Sequence, residues 1–275
     1  MSRPRLIERR RGGLLWFAVD GPGWHVAFST RLGGVSEGPY TSLNLGLLAG
    51  DDPARVILNR ERLLETLGLR LDDLVAPGQV HSAQVQTVDG GARGRGARSA
   101  AALLAATDAL ATAAPGVPLL VSVADCMPVL LAGESAGGRP ALALVHAGWR
   151  GMAAGVLSAA AAALGKLGRL TTAVVGPSIG PCCFSVSDDV GALLEARYPG
   201  VWHDGRADLW ACAAQELTAV GLTATEIVAA RLCTSCDRRF FSHRRDQGRT
   251  GRQAAVAWIE SPAPHAECPD GKVDG

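Results

Sequence analysis

The sequence predicts an α+β protein with mixed sheets, and three observations carry that prediction. Short apolar runs rich in Val and Leu, bounded by Gly, Pro, Asp and Ser, recur along the chain and read as buried strands. Ala- and Leu-rich segments with helical spacing fall among them without any internal repeat. No linker-like stretch interrupts residues 1–260, so one domain is expected there. Residues 261–275, with three Pro and two Gly, are expected to form a disordered tail.

In chain order, 24–30 alternates well enough for a strand. It feeds the long Gly-rich loop RLGGVSEGPYTSLNLGLLAGDD, which carries Arg31, Ser36, Thr41, Ser42 and Asn44. Loops of this length are usually functional or disordered. Asp52-Pro53 starts a helix, with the carboxylate as N-cap, and Gly68 ends it. Asn59 and Arg60 read as its solvated face. Residues 78–88, GQVHSAQVQTV, read as a strand with Gln79 and His81 on one face. ARGRGARS (92–99) reads as an exposed loop, and 100–113 as an Ala/Leu-rich helix carrying Asp108. Further helices are expected at 152–164, 190–198 and 209–220, and strands at 172–175, 227–232 and 254–259.

The chain is organised around 119–151, LLVSVADCMPVLLAGESAGGRPALALVHAGWRG. Apolar runs at 119–124, 129–132 and 141–145 read as strands. If Leu131 and Ala141 close a hairpin, constant-sum pairing sets Cys126 opposite His146. Directly opposed side chains lie about 4.5–5.5 Å apart at Cβ. A thiolate and an imidazole at that spacing can share a metal ion, or one can deprotonate the other. The helix expected after His146 offers free N–H groups beside Arg150, a place for an anion.

Composition excludes some functions. The chain has 275 residues, 48% of them apolar and 19% charged, with a net charge of +1. That balance gives no general attraction to nucleic acid or membrane. Only Lys166 and Lys272 are lysines among 27 basic residues, a bias that a GC-rich genome explains as readily as anion binding. The basic N-terminus is followed by an apolar run of six residues, 14–19, too short for a signal-peptide core or a span, so a cytoplasmic protein is expected. Seven cysteines, an odd number, fit a reducing compartment.

The six histidines form no HxH or HExxH pair, so a metal site has to be non-local. Cys233-x-x-Cys236 is a lone pair in sequence. Structural zinc needs four ligands, and only His243 follows closely. FFSHRRDQGRTGR packs Arg244, Arg245, Arg249 and Arg252 into nine residues, either a basic surface loop or a phosphate clamp.

The set FSTRLGGVSEGPYTSLNLG, QVHSAQV, TDAL, VADCMPVLL, VHAGWRG, GPSIGPCCF and FFSHRRDQGRTGR, in this order, resembles the laccase-domain, or YfiH-type, family. That family, formerly called multicopper polyphenol oxidase, is now regarded as purine nucleoside phosphorylases. The resemblance implies an α/β sandwich distantly like a toxin deamidase. It implies zinc, or alternatively copper, held by His81, Cys126 and His146, which would also be the catalytic residues. It implies phosphorolysis of adenosine, inosine and methylthioadenosine, and deamination of adenosine. Purine nucleosides and phosphate would be the partners, met by Arg31, Asn44, Gln79, Arg150, Arg244 and Arg245 in a monomer or homodimer. The chain departs from the family at Ser185, where Glu is common, and at Cys212-Ala213, where an Asn is expected.

Other readings stay open. One is a metal-free hydrolase with Cys126 as nucleophile, His146 as base, and Asp125 or Gln79 orienting the imidazole. It would suit the editing of cell-wall precursors. A true multicopper oxidase needs many more His ligands than six scattered ones supply, although a single copper at the triad is chemically reasonable. A non-enzymatic binding protein with a vestigial site is the remaining alternative.

Overall fold

The computed structural model describes residues 5–261. Most of the expected tail, 262–275, therefore lies outside the described residues. The strands are β1 (Ile7–Arg11), β2 (Leu14–Gly21), β3 (Trp24–Ser29), β4 (Val85–Thr87), β5 (Ala109–Thr112), β6 (Leu119–Val123), β7 (Met127–Glu134), β8 (Pro140–Ala147), β9 (Arg169–Val175), β10 (Trp202–His203), β11 (Arg206–Ala207), β12 (Ile227–Ala229) and β13 (Gln253–Ile259). The helices are α1 (Pro53–Thr66), α2 (Trp149–Ala153), α3 (Val156–Gly165), α4 (Asp188–Arg197) and α5 (Leu209–Ala219).

Two larger sheets stack face to face. One is antiparallel, in the order β1-β2-β3-β13-β6. The other is mixed, in the order β12-β9-β7-β8-β5-β4, with parallel pairs at both edges. The period-2 alternation of strand side chains assigns each residue to a layer. Leu130, Leu142, Leu144 and Val174 meet Phe17, Val26, Phe28 and Val121 between the sheets. Val129, Leu131, Ala143 and Val145 point the other way, under Leu157, Ala160 and Leu164 of α3 and Leu217 of α5. The outer face of the antiparallel sheet, with Trp16, Ala27 and Val256, packs on Leu63 and Leu64 of α1. The result is an α/β sandwich with mixed sheets, as expected.

Three expected elements differ from the expectation. Residues 100–113 are not a helix; Ala100–Ala102 is one 3-10 turn capped by Ser99, and β5 follows. Alanine favours helix only weakly, and tertiary pairing overrides it. Here Ala109 and Ala111 pair with β8, where their small side chains fit the helix-facing core. The helix expected at 152–164 is broken in two at Gly155, which adopts φ 80°. Residues 78–84 are not strand, for a reason given below.

Asn59 and Arg60 are buried rather than solvated. The Asn59 amide donates to Ser36 Oγ and to the carbonyls of Ser42 and Asn44, and accepts from Val35 N–H. Arg60 donates to the carbonyls of Leu45, Gly96 and Ala97 at 2.7–2.9 Å. α1 therefore holds the long Gly-rich loop in place. Apolar periodicity does not distinguish such residues from a polar face in water.

A candidate His–Cys–His metal centre in a basic cavity

The chain crosses from one sheet to the other between β6 and β7, and the crossing is Ala124-Asp125-Cys126. Asp125 adopts φ 86°, which permits the sharp turn. Its carboxylate accepts from Thr234 Oγ1 at 2.6 Å, Arg244 N–H at 2.7 Å and Ser242 Oγ at 3.1 Å. Asp125 thus anchors the Arg-rich segment and does not orient a histidine. Gln79 is not that orienter either, since its amide pairs with the Ser122 backbone in both directions at 2.9 Å.

The β7–β8 register differs by two residues from the expected one. Leu131 faces Ala143, and His146 faces Pro128. The strands run further than their apolar runs, to Glu134 and from Pro140, leaving a short loop closed by a bond from Ser135 N–H to the Arg139 carbonyl. An even shift preserves the face. Cys126 and His146 therefore stay on the same side, diagonal rather than directly opposed.

Asp108, fully buried, builds the rest of the centre. One or other of its oxygens accepts from the backbone N–H groups of Val80, His81 and Ser82 and from the Ser82 hydroxyl. These bonds take the amides that a strand ladder would use, which is why 78–84 turns instead of extending. They also hold His81 at φ 63°, an uncommon backbone state for a residue with a side chain. Oδ1 of Asp108 pairs with His146 Nδ1 at 2.8 Å, which leaves His146 Nε2 directed at the centre. Cys126 Sγ lies 3.7 Å from His81 Nε2, and the two imidazole rings meet edge to face at 4.8 Å between centroids. The ligand atoms of His81, Cys126 and His146 all lie within 4.8 Å of one another. Zinc bonds of about 2.0–2.1 Å to nitrogen and 2.3 Å to sulfur put tetrahedral N and S ligands about 3.6 Å apart. The donor set and its spacing fit a zinc or copper ion with a position left open.

Electrostatics favour the thiolate of Cys126 and the imidazolium of His146, so metal binding would have to displace the His146 proton. Burial pushes the Cys126 thiol up, but the His146 and His81 imidazoles outweigh it and bring it down to about 6. Burial pushes His146 down, yet the Cys126 thiolate and the Asp108 carboxylate raise it to about 9. Burial likewise acts against the Asp108 carboxylate, and the hydrogen bonds from His146 and Ser82 hold it well below the usual carboxylate range.

A cavity of about 530 Å³ opens over the centre. His81, Cys126 and His146 line it, and so do Gln79, Arg150 and Arg244 from the expected substrate contacts. Arg31, Asn44 and Arg245 do not line it. Arg31 donates to the Thr41 carbonyl and stacks on Phe241, 4.6 Å from the ring centroid. Asn44 is buried between Asp51, Gly46 and Arg252. Arg245 is bound to Asp246 and to the Thr234 and Phe240 carbonyls. These three side chains serve as donors to the protein's own loops. Arg252, from the arginine-rich segment, lines the cavity too, together with residues that the sequence did not single out as contacts, among them Trp149, Phe184 and His243. Arg150 stacks on Trp149, and Arg244 donates to Ser185 Oγ at 2.7 Å.

A mixed sandwich with a His–Cys–His centre beneath an arginine-lined cavity defines a class of small-molecule site. The family model described as multi-copper polyphenol oxidoreductase laccase matches residues 25–260, and the chain belongs to that family. The chain is 37% identical over 262 residues to a Geobacillus stearothermophilus protein named purine nucleoside phosphorylase YlmD, covering 90% of this chain and 94% of that one. It is 39% identical over 245 residues to the Streptomyces griseus purine nucleoside phosphorylase ORF3, covering 86% and 94%. The crystal structure of YlmD from Geobacillus stearothermophilus superposes with a TM-score of 0.86 at 35% identity, over 94% of this chain and all of that one. That of the Bacillus licheniformis hypothetical protein YfiH gives 0.82 at 31%, over 92% and 99%.

Proposed function

We propose that this protein is a metal-dependent purine nucleoside phosphorylase. Its substrates would be adenosine, inosine and methylthioadenosine, with adenosine deamination as a second activity. The observation that carries the reading is the His81–Cys126–His146 centre, braced by Asp108, in one cavity with Arg150 and Arg244. The names of the relatives support it. His81, Cys126 and His146 would hold zinc, with copper as the alternative. The ion would supply a Lewis acid for developing negative charge.

The chain's own residues bind and orient. Arg150 and Arg244 offer guanidinium forks suited to phosphate oxygens. Trp149 and Phe184 offer flat faces for a purine. In phosphorolysis a phosphate oxygen bonds to ribose C1′ as the C1′–N9 bond breaks. The bonding pair leaves with the purine, which takes up a proton, and ribose 1-phosphate is released. In deamination water adds at purine C6 and ammonia leaves. Asp108 fixes the His146 ring throughout. The chain would act in the cytoplasm as a single domain, as a monomer or homodimer. Among the described residues no helix is long and apolar enough to cross a membrane.

Incubation with adenosine, with and without phosphate, tests the reading. Adenine should form only with phosphate, and inosine in both. Absence of all purine products from protein carrying one metal per centre would sink it.

One observation favours a second reading. Asp108, His146 and Cys126 form a chain in which the thiol is lowered and the imidazole raised, the charge pattern of a Cys–His hydrolase. Full turnover in chelator, with His81→Ala active and Cys126→Ser inactive, would favour it.

A further inference from the structure

A second group of metal-binding side chains stands on the loops behind the cavity. Cys233-x-x-Cys236 is a lone pair in sequence, but the fold brings Cys182 and Cys183 to it. The four sulfurs lie within 4.8 Å of one another. Cys236 Sγ is 3.4 Å from Cys183 Sγ and 3.6 Å from Cys182 Sγ. Four thiolates bonded to zinc at about 2.3 Å sit about 3.8 Å apart, whereas a disulfide needs about 2.0 Å. The separations fit a shared ion better than a bonded pair.

The backbone is arranged for thiolates. Gly180 N–H donates to Cys233 Sγ at 3.2 Å, a bond that charge on sulfur strengthens. The N–H groups of Cys183 and Phe184 both donate to the Gly180 carbonyl, so the chain curls tightly and turns two adjacent cysteines toward one point. Thr234 N–H donates to the Ser178 carbonyl and Ser178 N–H to the Leu232 carbonyl, a bridge centred on Cys233 that locks the two loops side by side. Cys182 and Cys236 are exposed, which gives an ion a way in. Arg244 donates to the Cys183 carbonyl at 3.3 Å, placing a cation beside a group that would carry net negative charge.

We propose that Cys182, Cys183, Cys233 and Cys236 form a four-thiolate site for a structural zinc ion, separate from the His–Cys–His centre. Binding exchanges the thiol protons for Zn²⁺ and involves no oxidant. Its role is positional. Phe184 and Ser185, just beyond the first pair, lie against the cavity and Arg244. Thr234, inside the second pair, holds the Asp125 carboxylate next to Cys126. An ion joining the two loops would fix that wall of the cavity from behind.

Metal counting on the full chain tests this without using activity. Zinc-loaded, desalted wild type should carry two equivalents, and Cys236→Ser one. The triple variant His81→Ala/Cys126→Ser/His146→Ala should also carry one, and the combined variant none. Cobalt in the triple variant, whose four cysteines are intact, should give intense tetrahedral bands and thiolate-to-metal charge transfer. Cys236→Ser should also speed amide exchange across residues 178–185. Wild type with one equivalent, Cys236→Ser with none and the triple variant with one would uphold this site while removing the ion from the His–Cys–His centre. Cys236→Ser that matches wild type in metal content would overturn the proposal. So would a triple variant that binds no cobalt, or one whose intact mass without reductant is two hydrogens light.

Discussion

Gly148 sits where a side chain cannot. A Cβ there would come within 2.8 Å of His81 Cδ2 and 3.0 Å of Cys126 Sγ. Gly148→Ala should therefore displace ligands without unfolding the chain, reducing bound metal while the far-ultraviolet dichroism stays unchanged. Asp108 is a second test at this scale. Its folded pKa is depressed, so its contribution is complete above the unfolded value near 4 and is lost as pH falls through the folded value. Asp108→Asn leaves the His146 imidazole without its partner and should cost about 3–5 kcal/mol at neutral pH. In urea titrations with chelator present, the gap between wild type and variant should narrow below about pH 4. A gap that widens there would contradict the assignment. Phosphate recognition divides the arginines. Arg150→Lys or Arg244→Lys should raise the phosphate KM several-fold. Arg31→Lys and Arg245→Lys should leave it near wild type, because those guanidinium groups serve loop carbonyls and a carboxylate.

Among the elements, α1 matters most to the cavity although it contributes little to its lining. Its Asn59 and Arg60 hold the loop from which Gly46, Leu47 and Ala49 reach the cavity. Arg60 has no carboxylate partner in its hydrogen bonds, and burial lowers it to about 10. Arg60→Leu would strand three buried carbonyls, and each unsatisfied group costs about 1–3 kcal/mol. With partial relaxation, denaturant midpoints should report a loss of about 2–4 kcal/mol. Substrate KM should rise more than kcat falls, since the loop wall loosens while the metal centre is untouched. An unchanged KM would show that the loop holds without its anchor.

For the whole molecule, the centre draws on distant parts of the chain. Ligands come from the turn before β4, the sheet crossing before β7 and the end of β8. Metal bound to such a site binds the folded state far better than the unfolded one. At a free concentration a thousandfold above Kd, that linkage adds about 4 kcal/mol. Chelation should lower the melting temperature of wild type by several degrees. The His81→Ala/Cys126→Ser/His146→Ala variant should shift less. Equal shifts in both would place the stabilising ion elsewhere, for instance on the four cysteines.

The sequence by itself determined the mixed α/β class, the central strands, the capped start of α1 at Asp52 and its end at Gly68. Those features rest on local chemistry: apolar period, a side chain accepting from Ala54 N–H, and a glycine at positive φ. The order of the motifs also pointed to His81, Cys126 and His146. Only the tertiary structure decided how the three meet. The β7–β8 register depends on how far each strand runs beyond its apolar core. The path of 78–84 depends on a carboxylate that arrives from just before β5, and no local pattern at QVHS records it. Asp108 looked like one polar residue on an alanine-rich helix, because alanine's weak preference gives no warning that sheet pairing will prevail. The second pair of cysteines likewise became partners of the first through contacts across some fifty positions of chain, a separation over which sequence spacing carries no distance information.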